Sequence, residues 1–358
     1  MDTIKKEAAE MLRSMIRIPS LSFEEKEVSD FLFSQFQTWG LEPERINYNI
    51  ICRQPSFDEG KPVLLLCAHM DTVPANAAYS FNAFEPVQEG HEDTIFGLGS
   101  NDDGGSVASM TAAFRLLREE HLPFNLCLAI TTEEERSGPD GMRYLWQHVF
   151  AGLNIRAIVG EPTGMRAATA ERGLLVLDAT AHGKSGHAAR GEGINALYIA
   201  IDDIEKLRAY RFSKISPVMG EVHMTVTQIN AGTAHNVIPD SCTFVVDIRP
   251  TEQYGNEEIV AELQAMCRSE LKPRNLSNRS SATYPDSPLV SCCRELGVET
   301  FSSPTTSDWM RLGCDAIKMG PGDSSRSHKA DEYLMVRELE DAIDKYVKFI
   351  KYYGNTLE

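Results

Sequence analysis

The sequence predicts an α/β protein, with helices packed on a mixed, mostly parallel sheet, interrupted by an inserted α+β domain of ferredoxin-like order. Three observations carry that expectation. Short apolar runs of strand length alternate with helical stretches over much of the chain. The middle changes texture to alternating strands around two helices. With 358 residues the chain is also long enough for two cores.

Ile4, Ala8, Met11, Leu12, Met15 and Ile16 fall on one helical face, and Pro19 follows where the pattern stops. Ser22 with Glu25 reads as a capping box opening a second helix through Val28, Phe31, Leu32, Phe36 and Trp39, with Gly40 at its stop. Strand-length runs follow at 63–67, 126–130, 157–159 and 316–319. The stretch 105–117 reads as a crossover helix. A closing helix over 332–352 would bury Val336, Leu339, Ala342, Ile343, Tyr346 and Ile350. Strands at 174–180, 222–229 and 243–248, around helices at 194–210 and 256–271, suit a strand-helix-strand-strand-helix-strand insert. Its expected bounds are 172–283, leaving 1–171 and 284–358 for the larger domain; the polar stretch 272–281 reads as a return linker.

Composition narrows the function classes. Apolar residues make up 42% and charged residues 24%, an ordinary globular balance. A net charge of -17 opposes binding to nucleic acid, which needs a basic face. No apolar run approaches a membrane span, and the N-terminus lacks the apolar core of a secretion signal. The eight cysteines are scattered without CxxC spacing, which suits buried free thiols in a reducing, cytoplasmic setting.

The chemistry is concentrated at the ends of the strand-like runs. His69 and Asp71 follow the first, Glu133, Glu134 and Glu135 the second, Glu161 and Pro162 the third, and His328 follows the loop after the fourth. In such sheets ligands gather at the carboxyl ends of strands, so these side chains can converge. Asp102 stands in the loop GLGSNDDGG before the crossover helix, where it could bridge two ions. Imidazoles and carboxylates together suit Zn²⁺, Co²⁺ or Mn²⁺. Taken singly, each element has a plainer reading: the glutamates as a solvated helix end, Asp102 as an N-cap, His69 as a lone histidine. The HxD spacing favours a ligand, because Asp71 can hold the second ring nitrogen. GLGSNDDGG lacks the Lys-Ser/Thr ending of a phosphate-binding loop.

The strings LLCAHMDTVP, FGLGSNDDGG, ITTEEERSG, VGEPT and SHKADE, in this order, resemble the successive signatures of the M20 family of metallopeptidases and N-acyl-amino-acid deacylases. The likeness runs through essentially the whole chain. It implies two divalent ions, zinc first among them, one held by His69, Asp102 and Glu161 and the other by Asp102, Glu135 and His328. It also implies Glu134 as general base and Asp71 as the residue orienting His69. Gly104 stands where the family often has Lys; register favours Asp102 over Asp103 as the bridge.

Within the insert, HGKSGHAAR resembles the family's lid motif, which implies that His187 reaches the oxyanion, in its own subunit or a partner's. Asn236 in AHNVIPD and Arg249 in VDIRP occupy positions that resemble substrate contacts, Arg249 pairing with an α-carboxylate; Arg172 is a weaker candidate of that kind. His187 as a surface turn residue and Arg249 as a structural ion pair stay open. The resemblance further implies a homodimer formed through the insert and a small-molecule substrate.

The expected reaction is amide hydrolysis of an N-acylated amino acid. The short length and the GLGSNDDGG and EEERSG details resemble the acetylornithine deacetylase branch, which implies N-acetylornithine as substrate in arginine biosynthesis. Succinyl-diaminopimelate or succinyl-ornithine desuccinylase and a small dipeptidase are the alternatives, with a non-catalytic metal-binding scaffold a remote one. A succinyl end would want another cation, for which Lys184, Arg190 and Arg326 are available.

Overall fold

A computed structural model describes residues 1–357 and bears out the α/β expectation. The chain divides into two compact units. The first comprises Met1–Thr169, Ala282–Phe301 and the segment from Ser307 onward; the second comprises Ala170–Ser281 with Ser302–Thr306.

The first unit is organised on a nine-stranded sheet. Its middle strands, in the order Asn125–Thr131, Val63–His69, Ile155–Val159 and Asp315–Lys318, are mutually parallel. Asn49–Arg53 and Glu44–Ile46 extend one edge antiparallel. Every residue of Val63–His69 is buried, which is why this strand reads as a continuous apolar run and shows no alternation. Two cores nevertheless take alternate residues. Leu64, Leu66 and Ala68 pack with Leu12, Val107, Phe114, Leu339 and Tyr346 from the helices Asp2–Ile16, Gly104–Leu117 and Val336–Asn355. Val63, Leu65 and Cys67 pack on the opposite face with Met142, Leu145 and Trp309.

Register fixes where the site forms. His69 lies opposite Thr131, Cys67 opposite Val159, and Val159 opposite Lys318. The four strands therefore stop nearly level, and the residues that follow emerge together. Gly160 permits this closeness, since an added Cβ there would stand 2.5 Å from Ser106 Cβ and 2.9 Å from Asp103 Oδ2.

The second unit carries a four-stranded antiparallel sheet in the order His223–Ala231, Ser241–Arg249, Leu175–His182, Glu270–Pro273, with the helices Ala196–Ala209 and Asn256–Met266. This is the ferredoxin-like order. Leu175, Leu177, Ala179 and Ala181 are buried in alternation with half-buried neighbours, and they form a core with Phe244, Val246, Ile259 and Leu263.

Three local expectations need correction. The second helix, Lys26–Thr38, has no side-chain cap: Ser22 Oγ instead donates to Asp71 Oδ2 at 2.7 Å, and Glu25 is turned inward. The closing helix starts at Val336, because Tyr333–Met335 pairs as a strand with Thr94–Phe96. The helix expected over 256–271 ends at Met266, and the fourth strand occupies Glu270–Pro273, part of the expected linker. In each case a pairing distant in sequence competes with the local pattern and wins.

All eight cysteines are free, six buried and two half-buried. Among the described residues no helix is long and apolar enough to cross a membrane.

Candidate metal centre

The centre is built at the level ends of the parallel strands. His69 closes the strand Val63–His69 and is 3% exposed. Its Nδ1 lies 3.0 Å from the main-chain oxygen of Asp71 and 3.5 Å from the Asp71 carboxylate. A carbonyl can only accept, so Nδ1 carries the proton and Nε2 presents its lone pair. That lone pair faces Asp102 Oδ1 at 3.2 Å. Two acceptors so close need a proton or a cation between them. Burial alone would lower the His69 pKa, but the carboxylates of Asp102 and Asp71 outweigh it and hold it well above the ordinary value.

Asp102 and Asp103 precede the helix Gly104–Leu117, and the peptide between them is cis. The two carboxylates part company. Asp102 faces His69, with His328 Nε2 3.7 Å from its other oxygen. Asp103 turns inward, where Oδ2 accepts from the His69 N–H at 3.4 Å and Oδ1 has no hydrogen-bond partner. Burial pushes Asp103 up to about 8, whereas contact with the imidazoles brings Asp102 below its ordinary value despite burial. Glu332 holds the loop: its Oε1 accepts from the N–H groups of Asn101 and Asp102 at 2.8 and 2.9 Å.

The run Glu133–Glu135 leaves the strand Asn125–Thr131 and is not a solvated helix end. Glu135 Oε1 lies 3.0 Å from His328 Nε2. Ligand atoms of His69, Asp102 and Glu135 lie within 4.8 Å of one another, and so do those of His69, Glu134 and Glu161. Glu134 is thus grouped with the candidate ligands, a juxtaposition its position next to Glu135 did not reveal. Burial holds Glu134 and Glu161 well above the carboxylate range; neighbouring acids add to it, while His69, and Lys318 beside Glu161, oppose it. His328 is raised to about 9 by its hydrogen bond to Glu135. Buried carboxylates so crowded require positive charge, and imidazole nitrogens with carboxylate oxygens are donors that suit two divalent ions.

Several residues escaped the sequence reading. Glu332 was inside a recognised string without a role. Asp308, 6% exposed, accepts from Thr131 Oγ1 at 2.7 Å and is raised to about 6 by burial. Lys318 is 1% exposed at the end of its strand. Neither Asp308 nor Lys318 carries a spacing signal.

In the second unit, Gly186–His187 pairs with Val237–Ile238, so His187 and Asn236 are neighbours, and the Ala188 N–H donates to the Asn236 carbonyl. His187 Nδ1 accepts from the Ala189 N–H at 3.1 Å, which leaves the imidazole proton on Nε2. Asp247 holds Arg249 through Nε at 2.8 Å and Nη2 at 3.1 Å, the ion pair left open above. Arg172, the weaker candidate, is engaged by main-chain groups. Its guanidinium donates to the main-chain oxygens of Glu221, Met219 and Arg249, which makes it a clamp within its own unit.

The family model described as Peptidase family M20/M25/M40 matches residues 65–352. The chain belongs to the M20 family. An M20 relative, acetylornithine deacetylase from Myxococcus xanthus, is 29% identical over 81% of this chain and 80% of its own length. A succinyl-diaminopimelate desuccinylase from Xylella fastidiosa is 24% identical over 96% of this chain and 98% of its own. Among solved structures, the aminopeptidase PepT from Bacillus cereus aligns with TM-score 0.76 at 20% identity, covering 98% of each chain. A Bacillus subtilis protein described as a dinuclear metal binding peptidase from the M20 family aligns with TM-score 0.75 at 16% identity, covering 99% of each. With its cluster of candidate ligands, this M20 chain is a metal-dependent amidohydrolase.

Proposed function

We propose that the chain hydrolyses the amide bond of an N-acylated amino acid, with N-acetylornithine, giving ornithine and acetate in arginine biosynthesis, as substrate. The observation that carries the reaction class is the pairing of Glu134 with the ligand cluster: a half-buried carboxylate of raised pKa within 4.8 Å of His69 and Glu161 ligand atoms. His69, Asp102 and Glu161 would hold one ion, and Asp102, Glu135 and His328 the other. Zinc is first choice, with cobalt and manganese as alternatives. When bound, two such ions polarise the carbonyl and lower the pKa of water toward about 7.

Glu134 takes the proton of the attacking water and passes it to the leaving amine, a task that suits a carboxylate of raised pKa. Asp71 keeps the His69 proton on Nδ1. His187 offers Nε2–H to the oxyanion, a donor worth about 3 kcal/mol. Arg249, stiffened by Asp247, and Asn236 are the proposed substrate contacts.

The acetyl reading rests on the resemblance of GLGSNDDGG and EEERSG to the acetylornithine deacetylase branch. Among the cations a succinyl end could use, Arg326 is paired with both carboxylate oxygens of Glu338 at 2.7 and 3.0 Å. We also propose a homodimer through the second unit. The strand His223–Ala231 forms an edge of its sheet and carries Ile229, 51% exposed, while Tyr198 on the helix Ala196–Ala209 is 65% exposed. Light scattering tests the dimer.

The deciding experiment is a panel of N-acetyl and N-succinyl derivatives of ornithine, citrulline and diaminopimelate, plus dipeptides, assayed with Zn²⁺ or Co²⁺. Glu134→Gln should keep its metal while activity falls by several orders of magnitude. Near-normal turnover in that variant removes Glu134 from the role.

A further inference from the structure

The three glutamates that follow the strand Asn125–Thr131 show an uncommon arrangement of their backbone. Three successive N–H groups each end on a buried carboxylate: Glu133 N on Glu25 Oε1 at 3.0 Å, Glu134 N on Asp71 Oδ1 at 3.1 Å, and Glu135 N on Asp71 Oδ2 at 3.1 Å. Glu25 and Asp71 are both 0% exposed. Ser22 completes the set by donating from Oγ to Asp71 Oδ2 at 2.7 Å.

Ser22 and Glu25 belong to the turn between the first two helices, far from the metal ligands in sequence. That turn is itself fastened. The Thr72 N–H donates to the Ser20 carbonyl at 2.8 Å, and Leu21 bridges to Thr72. Phe23, between the two side chains, sits at φ 76° while 53% exposed. A left-handed conformation for a bulky residue without burial to favour it is a local cost, and it lets Ser22 and Glu25 face the same loop.

We propose that Ser22 and Glu25 are positioning residues for catalysis: through Asp71 and the Glu133 N–H, they fix the loop that carries Glu134 and Glu135. Glu134 must place one oxygen on a moving proton, and a misplacement of about 1 Å in such a group can cost on the order of 100-fold in rate. Carboxylates on three consecutive N–H groups deny the loop that freedom. Ser22 keeps the Asp71 carboxylate turned toward it. The inference rests on the reading of Glu134 as the base.

The test compares Ser22→Ala, Ser22→Thr, Glu25→Ala and Glu25→Gln in the full-length, metal-loaded enzyme. Ser22 is partly exposed, so Ser22→Ala should fold. We expect kcat to fall about 10-fold or more in Ser22→Ala and Glu25→Ala, the fraction of a charge-assisted hydrogen bond that reaches the transition state. KM should stay within about 2-fold and metal content at the wild-type level. Ser22→Thr, which keeps the hydroxyl, should recover most of the loss, and Glu25→Gln, which keeps an acceptor, should lose less than Glu25→Ala. A kcat within about 2-fold of wild type in Ser22→Ala overturns the proposal. A loss confined to KM or to metal content overturns it as well. Glu134→Gln runs alongside. If it retains turnover, the base reading fails whatever Ser22 does; if it is inactive while Ser22→Ala is normal, only the positioning inference fails.

Discussion

Replacing Glu332 by Ala tests whether the Asp102 loop is held from outside the ligand set. Glu332 is 2% exposed, and its Oε1 is the acceptor for two buried N–H groups, those of Asn101 and Asp102. Each N–H left unpaired by truncation costs about 1–3 kcal/mol, so the pair should cost about 2–6 kcal/mol. With about 2.1 cal/mol/K of unfolding entropy per residue, about 1 kcal/mol moves Tm by roughly 1–1.5 °C in a chain of 358 residues, and a fall of roughly 2–3 °C is the least expected. Metal affinity should also fall, by about 10–100-fold, as is usual when a group that orients a ligand is removed. Thermal melts of the chelated protein and competition with a chromophoric chelator measure the two effects. Glu332→Gln keeps a carbonyl acceptor in place and should lose much less of both. An Ala variant that matches wild type in Tm and in metal affinity would refute the reasoning.

Two further outcomes follow from the buried charges. Burial pushes Glu332 and Asp103 up to about 8 and Asp308 up to about 6, so the metal-free folded state binds more protons than the unfolded chain from about pH 4 to about pH 8. Stability of the chelated protein should therefore fall as pH rises through that window, and added Zn²⁺ should flatten the slope; a Tm that rises with pH would contradict this. Arg172→Ala should unfold the second unit at lower temperature, because it removes donors from three main-chain carbonyls, that of Met219 buried, while KM changes little. A selective rise in KM at unchanged stability would instead assign Arg172 the carboxylate-binding role.

Much of the catalytic unit was legible in the sequence because its signals are local. A central parallel strand is apolar on both faces, so Val63–His69 stands out as an unbroken run, and the polar residues just past such runs mark the sheet's carboxyl edge. The separation of Asp102 from Asp103 was less legible. Both are acids in one glycine-rich loop, and only the surroundings distinguish them: imidazoles for one, the inward-facing His69 N–H for the other. Ser22 was misread for a related reason. A serine three residues before a glutamate fits a helix cap, but Asp71, 49 residues on, offers the hydroxyl a charged acceptor.

What the sequence determined by itself was the order of elements, the family and the identities of the candidate ligands. The order of elements follows from periodicity, which short-range sterics and burial dictate; the family and the ligand assignment come from the resemblance of the ordered motifs at the strand ends. Tertiary structure alone decided how each polar group is used: Asp71 as the acceptor for the glutamate loop, Glu332 as the holder of Asp102, Arg172 as a backbone clamp. A side chain's partner is whichever complementary group the fold brings within about 3 Å, and that distance is set by long-range packing.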